Sequence, residues 1–536
     1  MDYNNKGIKV YLPVIFALLL VCGILIGNKL KFYNTSNSKF SGAEKLLTIL
    51  NCIQQTYVDS ISNNELTELA ISEILANLDP HSVYIPAKEL ARFNEPLEGE
   101  YGGVGIQYSL QNDTIFVVNT INGGPSEMLG IKPGDKIIKI NDTLVAGKKI
   151  TETDVMKKLK GKRGTKVKVN ILRNNIQESY NYTITRGIIP LHTIDAAYMI
   201  TKNIGYVKIN SFGKTTHDEF VKSINKLHKE GMSKLILDLR ENGGGYLNAT
   251  IDLADEFLEN EKLIVFTKGK SHQRKDYFAT SKGYCEKDKI IVLIDEGTAS
   301  ASEIFAGAIQ DNDRGLIIGR RSFGKGLVQE PTLFSDGSSL NLTVARYYTP
   351  AGRCIQKSYN KGNLDYYQDL KNRYLHGELT KKDSIHFGDS TKYKTLKGRI
   401  VYGGGGIMPD IFVPIDTIGI TAYFSKLSEK GLISRFAFQY CNNNRKDLIS
   451  FNTTDELTQY LDNKNIYAQF IKFAENKGIK PDNKSIIASK QLINTQLKAL
   501  IIRNIQKDDE GFYKTIQNID FTLLKAVNLF ENNIIK

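Results

Sequence analysis

A single lysine stands among glycines in IIGRRSFGKGLVQ, residues 317–329, behind an apolar run of strand length. Three chemistries compete for Lys325. Gly319 to Gly326 reads G-x-x-x-x-G-K-G, close to a phosphate-cradling loop. That motif needs Ser or Thr after the lysine to hold Mg²⁺, and a helix whose N-terminus faces the phosphates. Here Gly326 takes the hydroxyl position and LVQEPTLF reads as strand and turn, so both requirements fail. Ser322 to Lys325 reads S-x-x-K, which works only if both side chains face together one helical turn apart. Gly319, Gly324 and Gly326 oppose such a helix, since glycine costs roughly 1 kcal/mol per helical position relative to alanine. The third reading is that Lys325 serves a serine elsewhere.

Such a serine lies upstream in IIVLIDEGTASASEIFAGAIQD. An apolar strand, Ile290 to Ile294, enters a turn at Asp295 to Gly297. Small residues Thr298 to Ser302 follow, and an amphipathic helix begins near Glu303. At a strand-to-helix junction the backbone N–H groups are unpaired and the helix dipole favours negative charge. That suits a nucleophile whose attack creates an oxyanion. The bland alternative is that these serines cap the helix.

The stretch DEGTASASEIFAGAIQDNDRGLIIGRRSFGKGLVQ resembles the active-site region of the C-terminal processing (tail-specific) serine proteases. The resemblance extends through LILDLRENGGG, a preceding PDZ-like stretch and LDPHSVYIP, and covers roughly residues 42–415. It implies Ser300 as nucleophile, Lys325 as general base and Gln329 as the residue that orients the lysine. It also leaves Ser302 as a helix cap, Thr298 as a neutral replacement and His81 of LDPHS as structural.

The residue types fit that assignment. A serine hydroxyl is a poor nucleophile until a positioned base takes its proton. Lysine acts as a base only when neutral, and burial among Leu316 to Ile318, Phe323, Leu327 and Val328 would lower its pKa. A glutamine can orient the amine without adding charge, and along a strand positions 325, 327 and 329 share a face. For an oxyanion hole the sequence offers the backbone N–H of Ala301, with Gly243 or Gly244 of the turn after LILDLR as partner. The rival Ser-His-Asp mechanism finds His192 and His217 in the core stretch, neither in an interpretable motif.

These groups need elements to hold them. IGYVKI, KLILDLR, LIVF, IIVLID and LIIG alternate with helical stretches, which predicts an α/β core with a sheet covered on both faces. The resemblance makes this a ClpP/crotonase-like protease core, residues 187–415, with the polar, tyrosine-rich 355–400 read as an insertion. Residues 99–186 change to short alternating strands. There YGGVGIQYSL and GIKPGDKIIKIND resemble a PDZ domain, with Gly102, Gly103, Val104 and Gly105 expected to hold a peptide's terminal carboxylate. Residues 40–98 and 416–536 read as helical regions. The latter is a candidate for self-association or partner docking.

At 536 residues the chain needs several cores. Its formal charge of +13 comes from scattered lysines with no basic helix, so nucleic acid is not expected. Five separated cysteines without a C-x-x-C pair give no metal site or disulfide framework, and no cofactor is expected. Val10 to Gly27 is an uncharged run of 18 residues within the first 30, read as an uncleaved membrane anchor in preference to a cleaved signal peptide. The catalytic part is then expected outside the cytoplasm, in the cell envelope. The implied activity is endoproteolysis near exposed protein C-termini. The alternative is a PDZ adaptor that binds peptides without cutting.

Overall fold

The computed structural model describes residues 6–33, 41–173, 179–281, 283–385, 391–480, 482–506 and 508–532. The chain divides into two compact units, 1–74 and 75–536. The helical region expected over 40–98 is therefore split, and its LDPHS motif belongs to the larger unit.

In the smaller unit, helices Lys6–Tyr33 and Gly42–Thr56 precede the start of Asn63–Ala76. A Ser41–Glu44 capping box opens the second helix, none of whose side chains is buried. Among the described residues no helix is long and apolar enough to cross a membrane, so the anchor expected at 10–27 is left without support.

The larger unit is built on a six-stranded sheet whose spatial order follows the chain. Its strands are β1 (Ile194–Met199), β2 (Ile204–Ile209), β3 (Lys234–Asp238), β4 (Lys289–Ile294), β5 (Leu316–Gly319) and β6 (Ile411–Phe412). Only the β1–β2 pair is antiparallel. Successive side chains of a strand point to opposite faces, and here both faces are covered. Leu235, Leu237, Ile290, Val292 and Ile317 join one core with helices Thr216–Lys229, Leu247–Asp255 and Ala301–Asp311. Ile236, Ile291, Leu293 and Ile318 join another with Leu523, Ala526, Leu529 and Phe530 of the helix Phe521–Glu531. Burial on both faces explains why these strands read as unbroken apolar runs.

A second sheet pairs Ser339–Tyr348 with Val83–Ile85, Leu263–Lys268 and Leu327–Leu333. The segment 355–400, expected as an insertion, is part of the body. Arg373 of the helix Asn363–Leu375 is buried, and its guanidinium donates to the carbonyls of Arg321 and Ser322 at 2.6 and 3.1 Å. Glu378 pairs with both Arg321 and Arg373. Its polar composition includes buried ion-paired residues, although most of its described residues are exposed.

Residues 106–185 form a separate β-rich body with its own core around Ile115, Val117, Ile137, Val155 and Ile171. Its helix Glu152–Leu159 is opened by a Thr151–Asp154 capping box. Near the C-terminus, the helices from Ala422 to Ile505 pack around Phe436, Phe470 and Leu497.

Candidate active site

The neighbouring parallel strands β3, β4 and β5 end on one edge of the sheet. The turns that follow them carry Gly243–Gly245, Ser300 and Lys325, so residues distant in sequence converge at the strand C-termini. Buried hydrogen bonds join the first two turns. Ala299 N–H donates to Asn242 O at 3.0 Å, and the Thr298 hydroxyl to Leu239 O at 2.8 Å. Ser302, expected as a cap, is fully buried and donates its hydroxyl to Asn242 O at 3.0 Å. The Thr298 contact uses the hydroxyl that a serine would also supply, and Ser302 is a tie between turns. Phe323 N–H donates to Thr298 O at 2.9 Å and brings in the third turn.

Ser300 has φ 55° and ψ −116°. A non-glycine residue held in such a conformation costs on the order of 1–3 kcal/mol, and its surroundings must impose it. Two groups do so. The carboxylate of Glu303, fully buried, accepts from the N–H groups of Ser300 and Lys325 on one oxygen, each at 2.8 Å. Its other oxygen accepts from the Ser322 hydroxyl at 2.5 Å and Gly324 N–H at 2.7 Å. Burial raises this carboxyl to about 7 against those hydrogen bonds. On the opposite side the buried Tyr347 hydroxyl donates to Ser300 O at 3.0 Å and also reaches Lys325 O. Two side chains therefore bridge the backbones of residues 300 and 325. Sequence reasoning missed both. Glu303 had a signal in its S-x-x-E spacing from Ser300, whereas Tyr347 had none.

Lys325 is half-buried, and its ammonium has no ion pair or hydrogen bond among the described residues. Burial lowers its pKa, opposed by the charges of Glu303 and Asp79. The LDPHS motif thus lies close enough to act on it. His81, 2.7 Å from the Tyr366 hydroxyl, is pushed down to about 4 by burial and then by Lys325, and is neutral at pH 7. No histidine hydrogen-bonds Ser300 among the described residues; His217 pairs with Glu256 and His192 lies beside Glu219.

Gln329 does not hydrogen-bond Lys325 among the described residues. Its amide nitrogen donates to Thr343 Oγ1 at 3.0 Å. The shared face expected for 325, 327 and 329 assumed regular alternation. The strand begins only at Leu327, two residues after Lys325, and the residue skipped in its pairing, Val344, lies on the facing strand.

The Gly244 N–H is taken by Asn242 Oδ1 at 2.9 Å. This leaves the N–H groups of Ala301 and Gly243 without partners among the described residues. Gly244 serves close approach instead: at φ 101°, a Cβ there would sit 2.8 Å from Ala299 O and 2.9 Å from Ala301 N. Beside the β-rich body, Gly102 and Gly103 pair with Ile188 and Gly187 in a separate two-stranded ribbon, so only Val104 and Gly105 of the expected cradle are loop residues. Beside them is a cavity of about 90 Å³ lined by Val104, Gly105, Ile106, Tyr108, Met156 and Leu159.

Comparison with known proteins agrees with this architecture. Residues 203–363 match peptidase family S41, 95–172 match the PDZ domain and 423–507 match a family of unknown function. The chain is 32% identical over 413 residues to the carboxy-terminal processing protease CtpA of Bacillus subtilis (strain 168), covering 75% of this chain and 86% of the relative. It is 29% identical over 428 residues to CtpB of the same organism, covering 78% and 85%. The solved photosystem II D1 C-terminal processing protease is 26% identical, with a TM-score of 0.36 and coverage of 70% and 94%. The chain belongs to the carboxy-terminal processing proteases, serine-type peptidases of family S41 whose α/β protease core carries a PDZ domain.

Proposed function

We propose that this protease cuts proteins near their C-termini by a Ser300–Lys325 dyad. The carrying observation is the double bridge, in which one oxygen of Glu303 accepts from both N–H groups while Tyr347 reaches both carbonyls. In this reading Ser300 Oγ attacks the scissile carbonyl carbon and its proton passes to neutral Lys325 Nζ. The oxyanion faces the N–H groups of Ala301 and Gly243. As the tetrahedral intermediate collapses, Lys325 returns the proton to the leaving amine. A water deprotonated by the same amine then releases the acyl group. Gln329 orients Lys325 through its free amide oxygen.

The PDZ domain captures the substrate's C-terminus at the loop beside the 90 Å³ cavity, with Val104 and Gly105 facing the terminal carboxylate. The test is cleavage of an unstructured protein with an apolar tail. Wild type is expected to cut it, Ser300→Ala not at all, and a version with an amidated C-terminus more slowly. Cleavage surviving in Ser300→Ala contradicts the dyad. Tail binding without cleavage by wild type would favour an adaptor.

A further inference from the structure

The hydrogen bonds behind Gln329 have a direction. Asp79, the buried second residue of the LDPHS motif, accepts on Oδ1 from the backbone N–H groups of His81 and Ser82 at 2.8 and 2.9 Å. The same oxygen accepts from Thr343 Oγ1 at 3.1 Å, and Oδ2 from the Ser82 hydroxyl at 2.5 Å. The Ser82 hydroxyl in turn accepts from Thr343 N–H at 3.1 Å. An ionised carboxylate only accepts, and a threonine hydroxyl has one proton to give. With that proton committed to Asp79, Thr343 Oγ1 can only accept from Gln329, which faces it across the ladder with its amide nitrogen at 3.0 Å. The amide carbonyl is thereby turned to the other side, where it accepts nothing from the described residues.

We propose that Asp79 and Thr343 are positioning residues of the protease, a relay that holds the Gln329 amide with its oxygen outward as the acceptor for Lys325. The inference rests on the reading of Lys325 as general base. A neutral amine has two N–H donors and one lone pair, and the lone pair reaches Ser300 only if acceptors hold the donors elsewhere. An amide oxygen is such an acceptor without a full charge to stabilise the ammonium. A flipped amide would offer NH₂ and compete for the lone pair. The carboxylate at the far end of the relay forbids that flip. The charge of Asp79 also raises the pKa of Lys325, which places the relay within electrostatic reach of the amine.

The experiment measures kcat and KM against pH for Thr343→Val, Thr343→Ser, Gln329→Ala, the Thr343→Val/Gln329→Ala double variant and Asp79→Asn, with thermal melts as a fold control. Thr343→Val should lose about 10–100-fold in kcat, with KM nearly unchanged and its acid limb unmoved. Thr343→Ser, which keeps the hydroxyl, should restore most of the rate. The double variant should be no slower than Gln329→Ala alone, because one relay can be broken only once. Asp79→Asn should lower kcat and also move the acid limb to lower pH. A Thr343→Val enzyme as fast as wild type, or losses that multiply in the double variant, would overturn the relay. Lys325→Ala separates the two layers. Cleavage surviving in that variant removes the lysine base, whereas cleavage lost there but intact in Thr343→Val removes the relay alone.

Discussion

Two lysines flank Phe323, and their surroundings differ in kind. Lys357 is buried, its ammonium 3.8 Å from the Phe323 ring centre and 4.3 Å from that of Tyr366, and 3.0 Å from Asp369 Oδ2. Lys325 is half-buried, with neither ring nor carboxylate on its ammonium among the described residues. Burial lowers the pKa of both. What separates them is the partner set. Aromatic faces and a carboxylate favour the charged form, and Lys357 holds all three at contact distance. Around Lys325 the carboxylates act from further off, and the one with the larger effect, Glu303, spends its oxygens on four donors. Desolvation alone does not make a base; desolvation without a counter-charge does.

The contrast can be broken at several points. The largest effect belongs to Lys325→Ala, expected to lower kcat by about 10³-fold or more, read from single-turnover cleavage of a tailed substrate. Next is Glu303→Gln. It puts an NH₂ group against the N–H groups of Ser300 and Lys325, or, if the amide turns, against the Ser322 hydroxyl and Gly324 N–H, and is expected to cost about 10²-fold in kcat. The same variant tests a linkage. With its folded pKa raised to about 7 from 4.5, the Glu303 carboxyl contributes stability that is present below 4.5 and lost as pH rises through about 7. Wild type should therefore lose Tm across that window relative to Glu303→Gln, as read by thermal melts at fixed ionic strength.

The third effect is on pH dependence. The Lys325 pKa lies below 10.5, so kcat/KM should rise about tenfold per pH unit on the acid side and level off before pH 10.5. A limb still rising at 10.5 would mean that the amine is not desolvated. The smallest effect is expected from Lys357→Met. With Asp369 about a third exposed, the loss should be about 1–2 kcal/mol of stability, with kcat within about threefold of wild type. A collapse of kcat in that variant would erase the distinction between the two lysines.

The same contrast marks what the sequence could carry. Ser300 and Lys325 were named through the family resemblance; locally each shows only as a polar residue in the segment after an apolar strand, where a helix cap or a glycine turn would read the same. The alternation of apolar runs and helices gave the layered core. Glu303 was readable only as an acid in a helix's first turn, since nothing local says that its carboxylate turns back to hold a loop 22 residues away. Tyr347 and Thr343 act across strand pairings that no short spacing encodes. Lys325 precedes the strand that begins at Leu327, so strand alternation does not carry from it to Gln329. The region 355–400 mixes exposed surface with buried ion pairs such as Arg373–Glu378, which composition alone does not separate.

The central claim, that Lys325 activates Ser300 and Lys357 does not, is tested most directly by covalent labelling. The rate at which a serine-reactive fluorophosphonate modifies Ser300 would be followed against pH in wild type, Lys325→Ala and Lys357→Met, with the site read by peptide mass. The expected result is labelling of Ser300 that accelerates with pH to a plateau below 10.5, unchanged in Lys357→Met and lost in Lys325→Ala. Labelling of Lys325→Ala at the wild-type rate would contradict it.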